Sequence, residues 1–264
     1  MRILLTNDDG FGSPGITLLA SGLRKAGHRV FMIAPERNQS GVSHAITFFN
    51  GPCKLTDVAE DTWSCGGTPV DCVVIALMGG IPELSAVLHA PPDLIVSGIN
   101  QGANLGTDIL YSGTAAAARQ GSLNGIPSLA LSLVEGDSVN HQWYWDMAVG
   151  FSVDYLDRMM AYWKPQSFIN VNIPNRREKP AALVHAFPSL RYYNDSLDIY
   201  HATDGYRYCF TNAGKVSARP EQGSDWAAVT GNNASLSEVY IHPLLLESVM
   251  KREGNCGGKP VNEG

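Results

Sequence analysis

Two adjacent carboxylates, Asp8 and Asp9, follow an aliphatic run, Ile3-Leu4-Leu5-Thr6, and precede Gly10-Phe11-Gly12. Neighbouring carboxylates at the end of a buried strand repel one another and lose hydration, so something must compensate them. A divalent cation does this directly. Two further oxygen donors, Ser40 and Asn100, stand at the ends of other strand-like runs. A set made only of hard oxygens favours Mg²⁺ or Mn²⁺ over zinc. The plainer arrangement has one Asp capping the turn and the other facing water; the presence of Ser40 and Asn100 favours the metal. A third group, Tyr111-Ser112-Gly113-Thr114, opens an alanine-rich stretch. Hydroxyls and free amides at a helix N-terminus bind anions. Beside the polar run Ser97–Gly106 they suit a phosphate oxygen better than an ordinary Ser/Thr cap.

These groups together describe hydrolysis of a phosphate monoester. On this expectation Asp8 and Asp9, with Ser40 and Asn100 as further oxygen donors, would bind a divalent cation; Asn104, Ser112, Gly113 and Thr114 would hold the remaining phosphoryl oxygens, and a water would attack in line. Asp8 or Asp9 serves as its base, and a direct aspartyl-phosphate route through Asp8 stays open. Gly10-Phe11-Gly12-Ser13-Pro14-Gly15 also matches the dinucleotide fingerprint, with Glu36 at the end of the next strand. Against it, Asp8 and Asp9 would press on a pyrophosphate, and Pro14 removes an amide donor. A nicotinamide-dependent oxidoreductase and a non-catalytic nucleotide-binding regulator are the rivals. The chain has neither a G-x-S-x-G elbow nor a G-x-x-x-x-G-K-[ST] loop, and it carries Asp-Asp-Gly where aspartyl-phosphate phosphatases place Asp-x-Asp. His44, a lone loop histidine, is a proton shuttle only at a stretch.

The elements that must position these residues alternate strand and helix. Ile3–Thr6 reads as a buried strand, and about Pro14–Ala26 as a helix that buries Ile16, Leu19 and Leu23, with Ser13 as cap and Gly27 as stop. Strands follow at Arg29–Ala34, Leu94–Val96, Ser128–Leu131 and Phe168–Val171, with helices at Cys72–Met78, Thr114–Gly121 and Tyr144–Trp163. This is an α/β pattern, a Rossmann-like and mostly parallel sheet with helices on both faces. In such sheets ligands bind beyond the carboxyl ends of the strands, where all three polar groups lie. After Pro174 aromatic and polar residues dominate, as in Arg191-Tyr192-Tyr193 and Tyr206-Arg207-Tyr208, and hairpin arms are expected. The division is therefore 1–174 for the catalytic core and 175–264 for an arm region that completes the fold and makes subunit contacts. The tail from Gly254 reads as frayed.

Composition narrows the partners. The chain has 264 residues, 44% apolar and 17% charged, which is ample for a core. With 19 basic and 25 acidic side chains its formal charge is -6, so a long nucleic acid is not expected as partner. Five cysteines without a C-x-x-C pair point to reduced thiols. The lack of a signal-like start and of any 18-residue apolar run points to a cytoplasmic protein with no membrane partner.

The motifs Thr6-Asn7-Asp8-Asp9-Gly10, Asn38-Gln39-Ser40-Gly41, Gly67-Thr68-Pro69-Val70-Asp71, Ser97-Gly98-Ile99-Asn100 with Asn104-Leu105-Gly106, and Tyr111-Ser112-Gly113-Thr114 stand in this order. Together they resemble SurE, the stationary-phase survival nucleotidase family. Phe168–Pro174 and Ser224–Val229 extend the resemblance. It implies 5′- and 3′-nucleotidase activity on nucleoside monophosphates, sometimes with polyphosphate cleavage, and one cation on Asp8, Asp9, Ser40 and Asn100. It also implies dimers or tetramers built through C-terminal arms. The chain departs from the family pattern at His44, Ala45 and Gln120, at Ile241-His242-Pro243-Leu244, and in the run Gly231–Ser235.

Overall fold

The computed structural model describes residues 1–85, 90–135, 142–219 and 221–242. Its centre is a nine-stranded sheet. The chain enters it as β1 (Arg2–Thr6), helix α1 (Pro14–Lys25) and β2 (Arg29–Pro35). A hairpin of β3 (Leu55–Ala59) and β4 (Thr62–Cys65) follows, then α2 (Pro69–Ile75), β5 (Leu94–Gln101), α3 (Gly113–Leu123) and β6 (Ser128–Val134). Helices α4 (Trp145–Asp154) and α5 (Leu156–Met160) lead to β7 (Ser167–Pro174). Beyond it come β8 (Leu183–His185), β9 (Arg191–Tyr193), β10 (Ser196–His201), β11 (Arg207–Asn212), β12 (Val216–Ala218), α6 (Asp225–Thr230) and β13 (Ala234–Tyr240).

The strand order is β3-β4-β2-β1-β5-β6-β7-β13-β8. Strands β4, β2, β1, β5, β6 and β7 are parallel; β3 and β13 run antiparallel to their neighbours β4 and β7. The order reverses at β1, which pairs β2 on one side and β5 on the other. That reversal opens a crevice at the carboxyl ends of β1 and β5.

Both sheet faces are covered, and the period of two along each strand divides its side chains between two cores. Ile3, Leu5, Val30, Met32, Leu94 and Val96 pack with α1 and α4 through Ile16, Leu19, Leu23 and Phe151. Leu4, Phe31, Ile33 and Ile95 pack on the other side with Val73, Ala76 and Ala117.

Three expected elements differ, and the structure adds others. Strand β5 runs on to Gln101, which makes Asn100 a strand residue rather than a loop residue. Its register on β6 shifts between Ser97 and Asn100, and a Cβ on Gly98 would lie 2.3 Å from Leu131 O, so only glycine admits that approach. Helix α2 begins three residues earlier than expected because Thr68 and Asp71 close a capping box, and it gives way to a wider turn over Ala76–Gly80. The long helix expected over Tyr144–Trp163 is two, broken at Tyr155. The β3–β4 hairpin and β13 were not anticipated: their place depends on partners far away in the chain. The Gly254 tail lies outside the described residues.

Candidate functional site at the sheet crevice

The loops after β1, β2 and β5 are laced together by backbone groups. Phe11 N–H donates to Pro35 O at 2.8 Å, and Gln39 N–H donates to Asp8 O at 2.7 Å. Gly10, at φ 102°, lets Arg37 approach to 3.2 Å from where a Cβ would sit. These contacts bring the loop that carries Ser40 against the turn that carries the two aspartates. Asn38 Oδ1 accepts Ser40 N–H at 2.7 Å, and Ser40 itself stays exposed. From the other side, Gln101 N–H donates to Asp9 Oδ2 at 2.9 Å. Asn100 turns its carboxamide nitrogen to Gly102 O at 3.0 Å, which leaves its carbonyl oxygen as the group open to a cation. Asn7 closes the β1 turn by donating to Gly10 O and Ser13 Oγ.

Asp8 is held by α3. Its relative exposure is 3%, and both its oxygens accept from Thr114: Oδ2 from the amide at 3.0 Å, Oδ1 from the hydroxyl. A Cβ on Gly113 would stand 2.8 Å from Asp8 Cβ, so the helix meets the carboxylate at a glycine. The positive end of the helix dipole therefore points at Asp8. Burial still dominates. It pushes the Asp8 carboxyl up to about 6, aided by the charge of Asp9 and opposed by the Thr114 hydrogen bonds. Burial also raises Asp9, against the Gln101 amide.

Of the residues expected to touch phosphate, Ser112 accepts from Ala115 N–H at 3.0 Å and so caps α3. Thr114 spends its hydroxyl and amide on Asp8. The Gly113 amide, in the first turn, has no intrahelical acceptor. Asn104, 5% exposed, sits over β6 and β7: its side chain donates to Ser132 Oγ at 2.8 Å and its amide to Asn172 Oδ1 at 2.8 Å. Asn170 and Asn172 both donate to Asn104 O. These two asparagines escaped sequence reasoning as site supports, although their period-two spacing within an apolar strand was a usable signal.

The loops that carry Asp8, Asp9, Ser40 and Asn100 thus meet at one crevice, and the chemistry of these four residues fits a hard divalent cation. Two carboxylates lie at one crevice, one deeply buried with its proton affinity raised, beside two neutral oxygens. Among the described residues no cluster of three or more His, Cys, Asp or Glu exists. Such a cluster is what zinc would favour. Of the fingerprint glycines, Gly15 serves packing. A Cβ on Gly15 would fall 2.0 Å from Ile99 O, where α1 crosses β5.

Distant residues brace the crevice. Asp225, fully buried, accepts Gly106 N–H at 2.7 Å and Ser189 N–H at 2.9 Å. Asp108 accepts from Leu105 N–H, Arg191 Nη1 and the Tyr193 hydroxyl. The departure His44 donates through Nε2 to Gln120 Oε1 at 3.0 Å, and burial lowers its proton affinity. An apolar cavity of about 850 Å³, lined by Ile46, Phe48, Ile75, Met78 and Gln120 among others, contains none of the expected site residues.

A family model described as "Survival protein SurE" matches residues 3–193. A protein of Thermosynechococcus vestitus named "5'-nucleotidase SurE" is 40% identical over 259 residues, covering 94% of this chain and 91% of its own. A protein of Xanthomonas euvesicatoria with the same name is 43% identical over 176 residues, 66% of this chain and 64% of its own. Among solved structures, the SurE protein from Aquifex aeolicus superposes with a TM-score of 0.78 at 34% identity, over 96% of this chain and 98% of that one.

Proposed function

This chain belongs to the SurE family, and on that premise we propose that it is a metal-dependent 5′-nucleotidase. It hydrolyses nucleoside 5′- and 3′-monophosphates to nucleoside and phosphate, and short polyphosphate by the same chemistry. The observation that carries this reading is the buried Asp8 beside the half-buried Asp9 at the switch point of the sheet, where the loops of Ser40 and Asn100 meet them. Those four residues would hold one Mg²⁺ or Mn²⁺. When bound, the cation draws charge from the phosphoryl group and steadies the departing oxygen.

The chain's own groups do the rest. Both Asp8 oxygens are engaged by Thr114, so Asp8 orients and neutralises. Asp9 keeps one oxygen beyond its Gln101 bond and is the base for the attacking water. The Gly113 amide and the α3 dipole receive a phosphoryl oxygen, with Ser112 and Thr114 shaping that turn and Asn104 closing the far side. The apolar, fully exposed strands of β10 and β11, which carry Leu197, Ile199, Tyr200, Tyr208 and Phe210, form the arm of a homodimer or homotetramer. Among the described residues no helix is long and apolar enough to cross a membrane.

The test is phosphate release from 5′- and 3′-nucleoside monophosphates with Mn²⁺, Mg²⁺ or EDTA. Release with metal and none in EDTA is expected. A folded sample that releases nothing with either metal would sink the enzyme assignment.

A further inference from the structure

The nucleotidase assignment accounts for the phosphate end of the substrate and leaves its other end without a partner. We propose that Tyr111 is the platform on which the substrate's base stacks, and that Tyr193 and Asp108 hold it in place. The proposal rests on the nucleotidase reading and goes beyond it by naming how the nucleoside is held.

Tyr111 directly precedes the Ser112 cap of α3, the helix whose first turn touches Asp8. Its backbone is pinned on both sides. Its amide donates to Asp108 O at 2.9 Å, and its carbonyl accepts Ser43 N–H at 3.0 Å. Ser43 Oγ donates to Leu110 O at 2.7 Å, which ties the same segment to the loop that carries Ser40. A residue with so constrained a backbone nonetheless leaves its ring 58% exposed. Its one aromatic neighbour among the described residues is Tyr193, edge-on at 90° with centroids 6.4 Å apart. An edge-on partner fixes the tilt of a ring and leaves surface for another π-system.

Tyr193 is itself anchored. Its hydroxyl donates to Asp108, and burial together with that bond raises its proton affinity, so it remains a donor. Asp108 is held in turn by Arg191, whose guanidinium lies 5.3 Å over the Trp226 ring. The result is an exposed aromatic ring on a rigid mount beside the phosphate end of the site. Tyr111 and Gly113 are two positions apart, a backbone span of at most about 7 Å. With the side chain added, this matches the reach from the phosphate to the base of a mononucleotide. Stacking recognises the π-face that every base has, so it tolerates all bases and favours the larger purines.

The experiment compares adenosine 5′-monophosphate with ribose 5-phosphate, which has the same phosphate ester and no base. Each is assayed with Mn²⁺ on wild type, Tyr111→Phe and Tyr111→Ala. Tyr111→Ala should raise KM for the nucleotide at least about fivefold, the lower end of base–aromatic stacking. Its KM for ribose 5-phosphate should not move, and Tyr111→Phe should stay within about twofold of wild type on both. Should the alanine variant unfold, Tyr111→Leu keeps the apolar bulk without a π-face, and the same split is expected. Equal impairment on both esters, or none on either, overturns the stacking role while leaving the nucleotidase reading intact. Wild type that releases phosphate from neither ester overturns that reading, and the stacking role falls with it.

Discussion

Replacing Asp8 by Asn should stabilise the metal-free protein while destroying its activity. Asp8 is 3% exposed, and its carboxyl sits at about 6 in the fold against an ordinary 3.8. A carboxyl whose proton affinity rises on folding favours the fold below its unfolded value and loses that advantage as pH climbs through its folded value. The loss is therefore absent below about pH 4, grows from pH 4 to 6 and is constant above. A shift of about two units at about 1.4 kcal/mol each makes it about 3 kcal/mol at neutral pH. Asparagine imitates the protonated acid: its oxygen accepts the Thr114 amide, and its nitrogen donates to the Thr114 hydroxyl, which turns to accept. In EDTA at pH 7.5 the variant should melt about 6–12 °C above wild type, given about 2–4 °C per kcal/mol for a chain of this size. At pH 5 the gap should shrink to about half, and saturating Mn²⁺ should reverse it, since the variant keeps only one of the two carboxylates that bind metal. A variant less stable than wild type in EDTA at pH 7.5, or a gap that ignores pH, would refute burial as the force acting on Asp8.

Asp9→Asn should leave the melting temperature in EDTA within a few degrees of wild type and abolish phosphate release, with Mn²⁺ affinity reduced in calorimetric titration. Because protons and metal compete for Asp8, the apparent Mn²⁺ affinity should fall as pH drops below about 6, by up to about tenfold per unit; titrations at pH 7.5, 6.0 and 5.0 check this. Thr114→Val removes a hydroxyl donor from a buried carboxylate and should cost about 2 kcal/mol in urea unfolding at pH 7.5, an effect that Asp8→Asn should largely erase in the double variant. Gly106→Ala would place a Cβ 1.8 Å from Ser189 O at φ 51°, and should destabilise by about 3 kcal/mol with a proportionate drop in melting temperature.

Much of this protein can be read along the chain because the forces involved are local. Aliphatic runs such as Ile3–Thr6 and Leu94–Val96 are buried wherever the sheet forms, and Ser13-Pro14 starts a helix whatever packs on it. Alternating strand and helix leave few topologies, so the polar residues at the ends of β1, β2 and β5 were bound to share a crevice. The convergence of Asp8, Asp9, Ser40 and Asn100 is legible for that reason. Which donor meets which acceptor was not. Thr114 carries the hydroxyl expected of a phosphate ligand, and only the approach of α3 through Gly113 assigns it to Asp8. Asn104 reads as a loop residue until Asn170 and Asn172 of β7, more than sixty positions away, take its carbonyl. Tyr193 and Arg191 look like arm residues until Asp108 draws them to the rim of the crevice. Burial and periodicity are properties of a segment, so the sequence alone determined the α/β sheet and the place of the site. Hydrogen-bond partners and the burial that shifts a pKa depend on chain distances closed only by folding, so the tertiary structure alone decided what each polar side chain does there.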